Sequence, residues 1–362
     1  MANTVNYGLR QLLDMGAVSG QVAAATVDRD LLVSAINYDV ATYNREVNSI
    51  LNFFSDPVTE PQKLIEQGFG RRNQPLDEFG RTIPIKGPAP YTVGFPIVLS
   101  GNAQGTTFIA SQRMTVDRLA STLEAMRRGD AEWVRDHVLA ALFKNGSYTY
   151  TDPEFGALTV YGLASGDSTT YVRTSGGAAS ADTHYYAQAA DIADASNPFP
   201  TLHTEIVEHP MNGLETIALI ATDLKADTEG LADFIAEGDD AITEDQTAAR
   251  LRLMPNVSLP ARAMLIGKIR SGPWVAEWPD IPSGYGIVMP LNPAVKPLAR
   301  REYPEANLRG FRPQGERDDW PYFEEQWMRA IGFGAHNRTG AVVFRIGNAS
   351  YAIPTGYESP MP

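Results

Sequence analysis

The chain contains no cysteine. That absence excludes disulfides, thiol nucleophiles and cysteine-ligated zinc or iron–sulfur centres, so stability has to come from packing and association. Lysine is scarce as well, with 6 residues against 24 arginines. Arginine is the side chain suited to bidentate pairing across interfaces, although a biased genome composition produces the same ratio. No run approaches the roughly 20 apolar residues of a membrane span, and the opening MANTVNYGLRQLLDMGAVSGQVAAATVDRD lacks an apolar core of signal-peptide length. The chain is therefore expected to be made and kept in the cytoplasm, which makes the sequons at Asn145, Asn256, Asn337 and Asn348 chance matches. Nucleotide-binding signatures are missing too: there is no G-x-x-x-x-G-K-S/T, and GFGRRN and GFGAHNRTG both miss the G-x-G-x-x-G spacing. Neither H-E-x-x-H nor a G-x-S-x-G elbow occurs.

What is present is the composition of an ordered protein, with 43% hydrophobic and 9% aromatic residues over 362 positions. That length exceeds the usual size of one core, so two core-bearing regions are expected. Glycine and proline together number 56, which implies long connections. The net charge of −13 argues against a general nucleic-acid binder. Charge is also unevenly placed: Thr204 to Ala249 carries twelve acids and one base, whereas Lys296 to Arg317 carries six bases and three acids. Opposite faces, or complementary neighbours, would use that asymmetry.

Between Arg29 and Phe54 apolar residues fall at Leu32, Ile36, Val40, Tyr43, Val47, Leu51 and Phe54, the spacing of an amphipathic helix that Asp56-Pro57 stops. The preceding GAVSGQVAAATVDRD reads as an arm that orders against a partner. Residues 67–113 read as a long excursion of two extended runs, around RTIPI and YTVGFPIVL, closed by a turn at GNAQG. A two-stranded ribbon is marginal alone in water, so this one should lie on something else. Thr115 caps a long helix to Phe143, with a weak point at Gly129-Asp130 and a stop at Asn145-Gly146. Residues 147–200 are expected to be β-rich with short strands such as ALTVYGL and TTYVRT. His209-Pro210 is expected to open a helix with Leu214, Ile217, Ala221 and Leu224 on one face, followed by a second helix at ADTEGLADFIAEG. ARAMLIGKIR, WVAEWP and YGIVMPL read as strands of a mixed α/β region, and the last fifty residues as a polar-tipped β-ribbon that finishes in a strand.

The only tempting catalytic cluster is HTEIVEHP, with His203, Glu205, Glu208 and His209. Its spacing fits no metal motif, and the expectation is a solvated segment at the start of a helix, with acids suited to the N-terminus. Asp239-Asp240 and Glu244-Asp245 read as an acidic loop rather than glycosidase carboxylates. His137, His184 and His336 read as structural. Trp274, Trp278, Trp320, Tyr322, Phe323 and Trp327 read as core or interface anchors, since no basic pattern interleaves them. No catalytic, cofactor or metal residue is assigned.

The order of these segments resembles that of a tailed-phage major capsid protein, on the strings YTVGFPIVLSGNAQGTTFIASQRMTV, DHVLAALFKNG, HYYAQAADIADASNPFP, VEHPMNG and IGFGAHNRTGAVVFRIGNASYAIP taken together. The resemblance implies an α+β, HK97-like capsid fold: an N-terminal arm and helix over 1–66, an E-loop over 67–113, a peripheral domain with the spine helix over 114–204, an axial domain over 205–319 and a return to the peripheral domain over 320–362. It implies assembly rather than catalysis, with copies forming hexamers and pentamers of an icosahedral shell around double-stranded DNA. It also implies a separate scaffold protein, a portal, a decoration protein in some cases, weak non-specific DNA contact, no membrane, and a place in the virion after assembly in the host cytoplasm. Arg71, Arg72, Asp77, Glu78, Arg81 and Lys86 are the expected charged E-loop contacts between subunits, with Tyr91 and Phe95 as anchors. Some relatives weld neighbours through an E-loop lysine; Lys86 is the only lysine here, and no crosslink is expected. Two rival readings are an encapsulin-like nanocompartment shell and a metal-dependent hydrolase using the His203 to His209 cluster. A third is a β-rich adhesin or carbohydrate-binding module.

Overall fold

In the computed structural model, which describes residues 7–14, 16, 24, 27–66, 75–81, 90–175, 178–179, 182–236, 259–270, 272–319 and 322–359, the order of elements is mixed α and β. The helices are α1 (Leu9–Asp14), α2 (Arg29–Phe54), α3 (Phe108–Arg113), α4 (Val116–Phe143), α5 (Phe199–Val207) and α6 (Lys225–Glu229). The first nine strands are β1 (Ser55–Val58), β2 (Gln62–Ile65), β3 (Tyr91–Gly94), β4 (Val98–Thr107), β5 (Tyr148–Asp152), β6 (Gly156–Val160), β7 (Tyr171–Val172), β8 (Ala178–Ala179) and β9 (Tyr185–Gln188). The rest are β10 (Thr216–Ile220), β11 (Phe234–Ala236), β12 (Met264–Ile269), β13 (Trp274–Glu277), β14 (Tyr285–Pro290), β15 (Leu298–Arg301), β16 (Arg312–Asp319), β17 (Tyr322–Ala335) and β18 (Val342–Ile346). The chain divides into two compact units, one of residues 1–51, 97–136 and 302–332, the other of 52–96, 137–301 and 333–362.

The first unit is built on the two long helices. The stripe expected of α2 is the face it buries: Leu32, Val40, Tyr43, Val47 and Leu51 are all within the core, and Ile36 is half-buried. Leu9 and Leu12 of α1 close over Leu32 and Ala35 together with Val116 and Ala120 of α4. Thr115 caps α4 as expected, its hydroxyl oxygen accepting from the Arg118 amide at 3.3 Å. The helix runs unbroken through Gly129 because Asp130 is buried and engaged: the Tyr43 hydroxyl donates to it at 2.7 Å, and Arg329 Nε and Nη2 donate at 2.9 and 2.7 Å. Strand β4 pairs antiparallel with β17 over ten residue pairs, and β16 lies along the other edge of β17. GNAQG is therefore not a turn but the middle of β4. Its first glycine has a packing reason, since a Cβ on Gly101 would stand 2.8 Å from the Trp327 carbonyl oxygen.

The second unit carries a seven-stranded sheet in the order β11-β12-β13-β10-β14-β18-β9. Pairs β10–β13 and β18–β9 are parallel and the others antiparallel. All five residues of β10 are buried, the signature of a central strand covered on both faces. This overturns the expected helix after His209-Pro210. A short continuous apolar run, TIALI, suits a strand, and the three-and-four spacing that includes Leu214 and Ala221 was incidental. The helix of this region lies earlier, as α5, where Pro200 stands in the first turn and Asn197 Oδ1 accepts from the Phe199 amide at 3.0 Å. Phe199, Leu202 and Ile206 of α5 pack on Ile220, Val288, Val342 and Phe344 of the sheet, each fully buried apolar side chain contributing about 1.5–3 kcal/mol. The second expected helix is cut short: α6 ends at Glu229 and Phe234–Ala236 is strand β11.

The strands expected over 147–200 and 261–291 are present as β5 to β9 and β12 to β14. The terminal segment does contain two strands, but not a ribbon: β17 pairs with β16 and β4, whereas β18 lies between β14 and β9 in a different sheet. Alternating polarity identifies a strand without naming its partner. After Ile346 the described chain continues to Ser359 without further strand.

Candidate functional site

Of the E-loop residues, Asp77, Glu78 and Arg81 belong to a described turn, while Arg71, Arg72 and Lys86 lie outside the described residues. Asp77 organises the turn by itself. Its Oδ1 accepts from the Phe79 amide at 2.9 Å and the Arg81 amide at 2.7 Å, its carbonyl accepts from Gly80 at 2.9 Å, and its own amide donates to the Arg81 carbonyl at 3.0 Å. Gly80 supplies the left-handed conformation the turn requires, at φ +73°. Every residue from Pro75 to Arg81 is exposed, including two large apolar side chains, Leu76 at 61% and Phe79 at 71%. The Arg81 guanidinium stands 5.3 Å from the Phe79 ring centre, so the turn presents an apolar tip beside charges of both signs.

Tyr91 and Phe95 both pack within the second unit, to different depths. Phe95 is fully buried in the second unit, packed with Val93 and Ala299, and its carbonyl accepts from Arg301 Nη1 at 3.0 Å. Phe95 therefore packs as a core residue of the second unit, with no exposed surface. Tyr91 is half-buried, its ring edge-on to Tyr161 and Tyr171. Burial pushes its hydroxyl up to about 12 against the opposing pull of Arg338.

Arg338 is the hub of that aromatic group. Its guanidinium lies 4.7 Å from the Tyr161 ring centre and 5.8 Å from those of Tyr91 and Tyr171, and it donates to the Gly162 and Leu163 carbonyls and to Asp167 at 2.7 Å. Beside it opens a cavity of about 570 Å³, with Lys63, Tyr91, Tyr171, His209, Met211 and His336 among its walls. Its wall holds three of the four aromatic or cationic groups just described, Tyr91, Tyr171 and Arg338.

The HTEIVEHP residues divide, with His203 turned away from Glu205, Glu208 and His209. His203 turns to Thr216, Nδ1 to Oγ1 2.7 Å, while burial and Lys268 lower its pKa. His209 instead meets two residues that the sequence pattern did not single out, Asp182 and His184. His184 Nε2 is 3.4 Å from His209 Nε2, and Asp182 Oδ2 is 3.2 Å from the same His209 nitrogen. Burial pushes His184 down to about 4. Burial also works against a charged His209, but the Asp182 carboxylate and the Val172 carbonyl hold its pKa above the ordinary value. Glu205 is pushed up by burial and by Glu208 beside it. The signal for Asp182 and His184 was present in DTHYY: residues two apart at the start of a strand share a face. Asp239, Asp240, Glu244 and Asp245 lie outside the described residues.

No protein-family model matches the sequence, and no curated protein matches it. Solved structures do match. A chain from Mycobacterium phage Patience aligns with a TM-score of 0.68 at 18% identity, over 96% of this chain and 96% of that one. A chain from the capsid of the native GTA particle aligns with a TM-score of 0.50 at 11% identity, over 83% of this chain and 91% of that one. What these likenesses share is the fold, and the chain accordingly has the α+β, HK97-like capsid fold.

Proposed function

We propose that this chain, with the fold of a phage capsid subunit, is the major capsid protein of a tailed phage. Copies assemble into hexamers and pentamers of an icosahedral shell that encloses double-stranded DNA. The observation that carries the reading is the match in fold over 96% of both chains. In this reading residues 1–66 are the arm and first helix, 67–113 the E-loop, 114–204 the peripheral domain, 205–319 the axial domain and 320–362 its return. The chemistry of the Asp77 turn agrees: an exposed, self-bonded turn with an apolar tip is suited to lie on a neighbour, and gains little by facing water. Arg71, Arg72, Asp77, Glu78, Arg81 and Lys86 are proposed as charged contacts between subunits, each worth little singly and much in sum over a closed shell.

A net charge of −13 suits a container that must hold packed DNA without gripping it, and contact with DNA is proposed to be weak, salt-sensitive and sequence-independent. A separate scaffold protein, a portal and a decoration protein are the proposed partners, with the finished shell in the virion. The deciding experiment is negative-stain electron microscopy of the recombinant chain, alone and coexpressed with its neighbouring genes. Closed polyhedral shells filled with nucleic acid in the coexpressed sample are the expected result. A persistent monomer in both samples would overturn the proposal.

A further inference from the structure

The group around His184 has more order than a structural histidine pair needs. His184 Nδ1 lies 3.0 Å from the Ala341 carbonyl oxygen, and His209 Nδ1 lies 3.0 Å from the Val172 carbonyl oxygen. A carbonyl only accepts, so in each ring Nδ1 carries the hydrogen and the neutral imidazole turns the lone pair of Nε2 inward. The two Nε2 atoms then face each other at 3.4 Å with no hydrogen between them. The third member, Asp182 Oδ2, is buried without a hydrogen-bond partner, 3.2 Å from His209 Nε2. All three side chains are buried, at 0% exposure for His184 and 3% for the other two. Three lone-pair donors converging in a dry place are costly unless a metal cation, or a proton on His209 Nε2 given to Asp182, sits among them.

The spacing is that of metal ligands. Nitrogens each about 2.0–2.1 Å from a tetrahedral zinc ion stand about 3.3–3.4 Å apart, and a carboxylate oxygen in the same shell stands at a similar distance. The ligand atoms of Asp182, His184 and His209 all lie within 4.8 Å of one another. Glu208 Oε1 is 3.8 Å from His209 Nε2 and shares a second cluster with Asp182. Arg173 Nη2 donates to the other oxygen of Asp182 at 3.2 Å and pairs with Glu208 at 2.9 Å, which leaves Asp182 Oδ2 facing inward. Carbonyl-fixed imidazoles and an arginine-held carboxylate are the outer-shell contacts that orient ligands around a metal. His209 also lines the cavity of about 570 Å³, which provides an access route.

We infer that Asp182, His184 and His209 form a three-residue binding site for a first-row divalent cation of the zinc class, with a fourth position left to solvent from the cavity that His209 lines. The site closes the end of α5, the start of β9 and the end of β7 into one knot. It lies within one unit of a single chain, so it stands or falls independently of the shell proposal.

The test uses the full chain, made without a polyhistidine tag, stripped with a chelator, loaded with zinc and desalted. Mass spectrometry of the metal content is expected to return about one zinc per chain. Cobalt in place of zinc should give the intense visible bands of a four-coordinate site, and the melting temperature should rise on zinc addition and fall back with chelator. His209→Gln and Asp182→Asn should each weaken zinc binding by more than the roughly 10- to 100-fold that loss of an outer-shell partner costs, while His203→Gln should bind as the parent does. Should a substituted chain fail to fold, the cobalt spectrum and the melting shift of the parent chain decide. A parent chain that keeps no zinc and shows no cobalt bands would overturn the inference. So would loss of zinc in His203→Gln equal to that in His209→Gln. Either result would leave a proton on His209 as what binds the cluster together.

Discussion

Asp130 and Arg329 form a buried ion pair within the first unit. Their side chains are 2% and 1% exposed, and the pair is completed by Tyr43 and by Asn44, which accepts from Arg329 Nη2 at 3.2 Å. Burial and the adjacent Asp130 raise the pKa of Tyr43 far above its ordinary value, so its hydroxyl stays a donor. Removing one charge strands the other away from water. Asp130→Ala is therefore expected to cost about 3–5 kcal/mol in urea unfolding, and the Asp130→Leu, Arg329→Leu double substitution distinctly less than twice that. His137 offers a second residue-scale prediction. It is fully buried, edge-on to Phe333 at 5.2 Å, and burial pushes its pKa down to about 4 from an unfolded value near 6.5. The unfolded chain then binds the extra proton between those two values. The contribution of His137 is complete above about pH 6.5 and is lost as pH falls toward 4, at up to about 1.4 kcal/mol per pH unit. Denaturation of His137→Phe across this range should show a shallower loss than the parent; an identical slope would exclude the assignment.

At the scale of elements, the long pairing of β4 with β17 decides what 98–107 becomes. Gly101, Asn102 and Gly105 would punctuate a loop if the segment stood alone, yet ten ladder positions against β17 hold it extended. At Gly101 the partner backbone comes so close that a methyl group would stand 2.8 Å from the Trp327 carbonyl oxygen. Gly101→Ala is expected to disturb the ladder at Trp327 and Met328, and amide hydrogen exchange should quicken there while α2 is unaffected. Exchange unchanged at those amides would contradict the close approach. The contrast with α2 and α4 is instructive: both are legible from apolar spacing, because a helix makes its hydrogen bonds within its own segment. Strand β10 was misread for the opposite reason, since its partners β13 and β14 lie about 55 to 75 residues further along the chain.

For the whole molecule, the proposed function rests on surfaces rather than on a reaction centre. Phe79 is 71% exposed, so Phe79→Ser should leave the stability of the isolated subunit within about 0.5 kcal/mol. Under the assembly proposal it should nevertheless lower the yield of closed shells, read by sedimentation and microscopy. Normal shell yield from this variant would remove the Asp77 turn from the proposed interface. Of the residues nominated as contacts, the described ones separate cleanly: Asp77, Glu78 and Arg81 are available at the surface, and Phe95 is not. The family resemblance suggested Phe95 as an anchor, whereas the side chain is buried against Val93 and Ala299, the latter some two hundred residues away in the chain.

The sequence by itself determined the long helices, the Thr115 cap, strands β12 to β14 of the mixed sheet and the lack of any thiol, all of them matters of residue type and spacing along one segment. Segment order was also enough to suggest the fold. Only the tertiary structure decided which strand lies beside which, that Arg329 meets Asp130 across 199 positions, and that His209 faces Asp182 and His184 rather than His203. The reason is physical: periodicity is a property of a local repeat, whereas a buried ion pair or a ligand set is made by side chains that the chain brings together only after its strands have found their register.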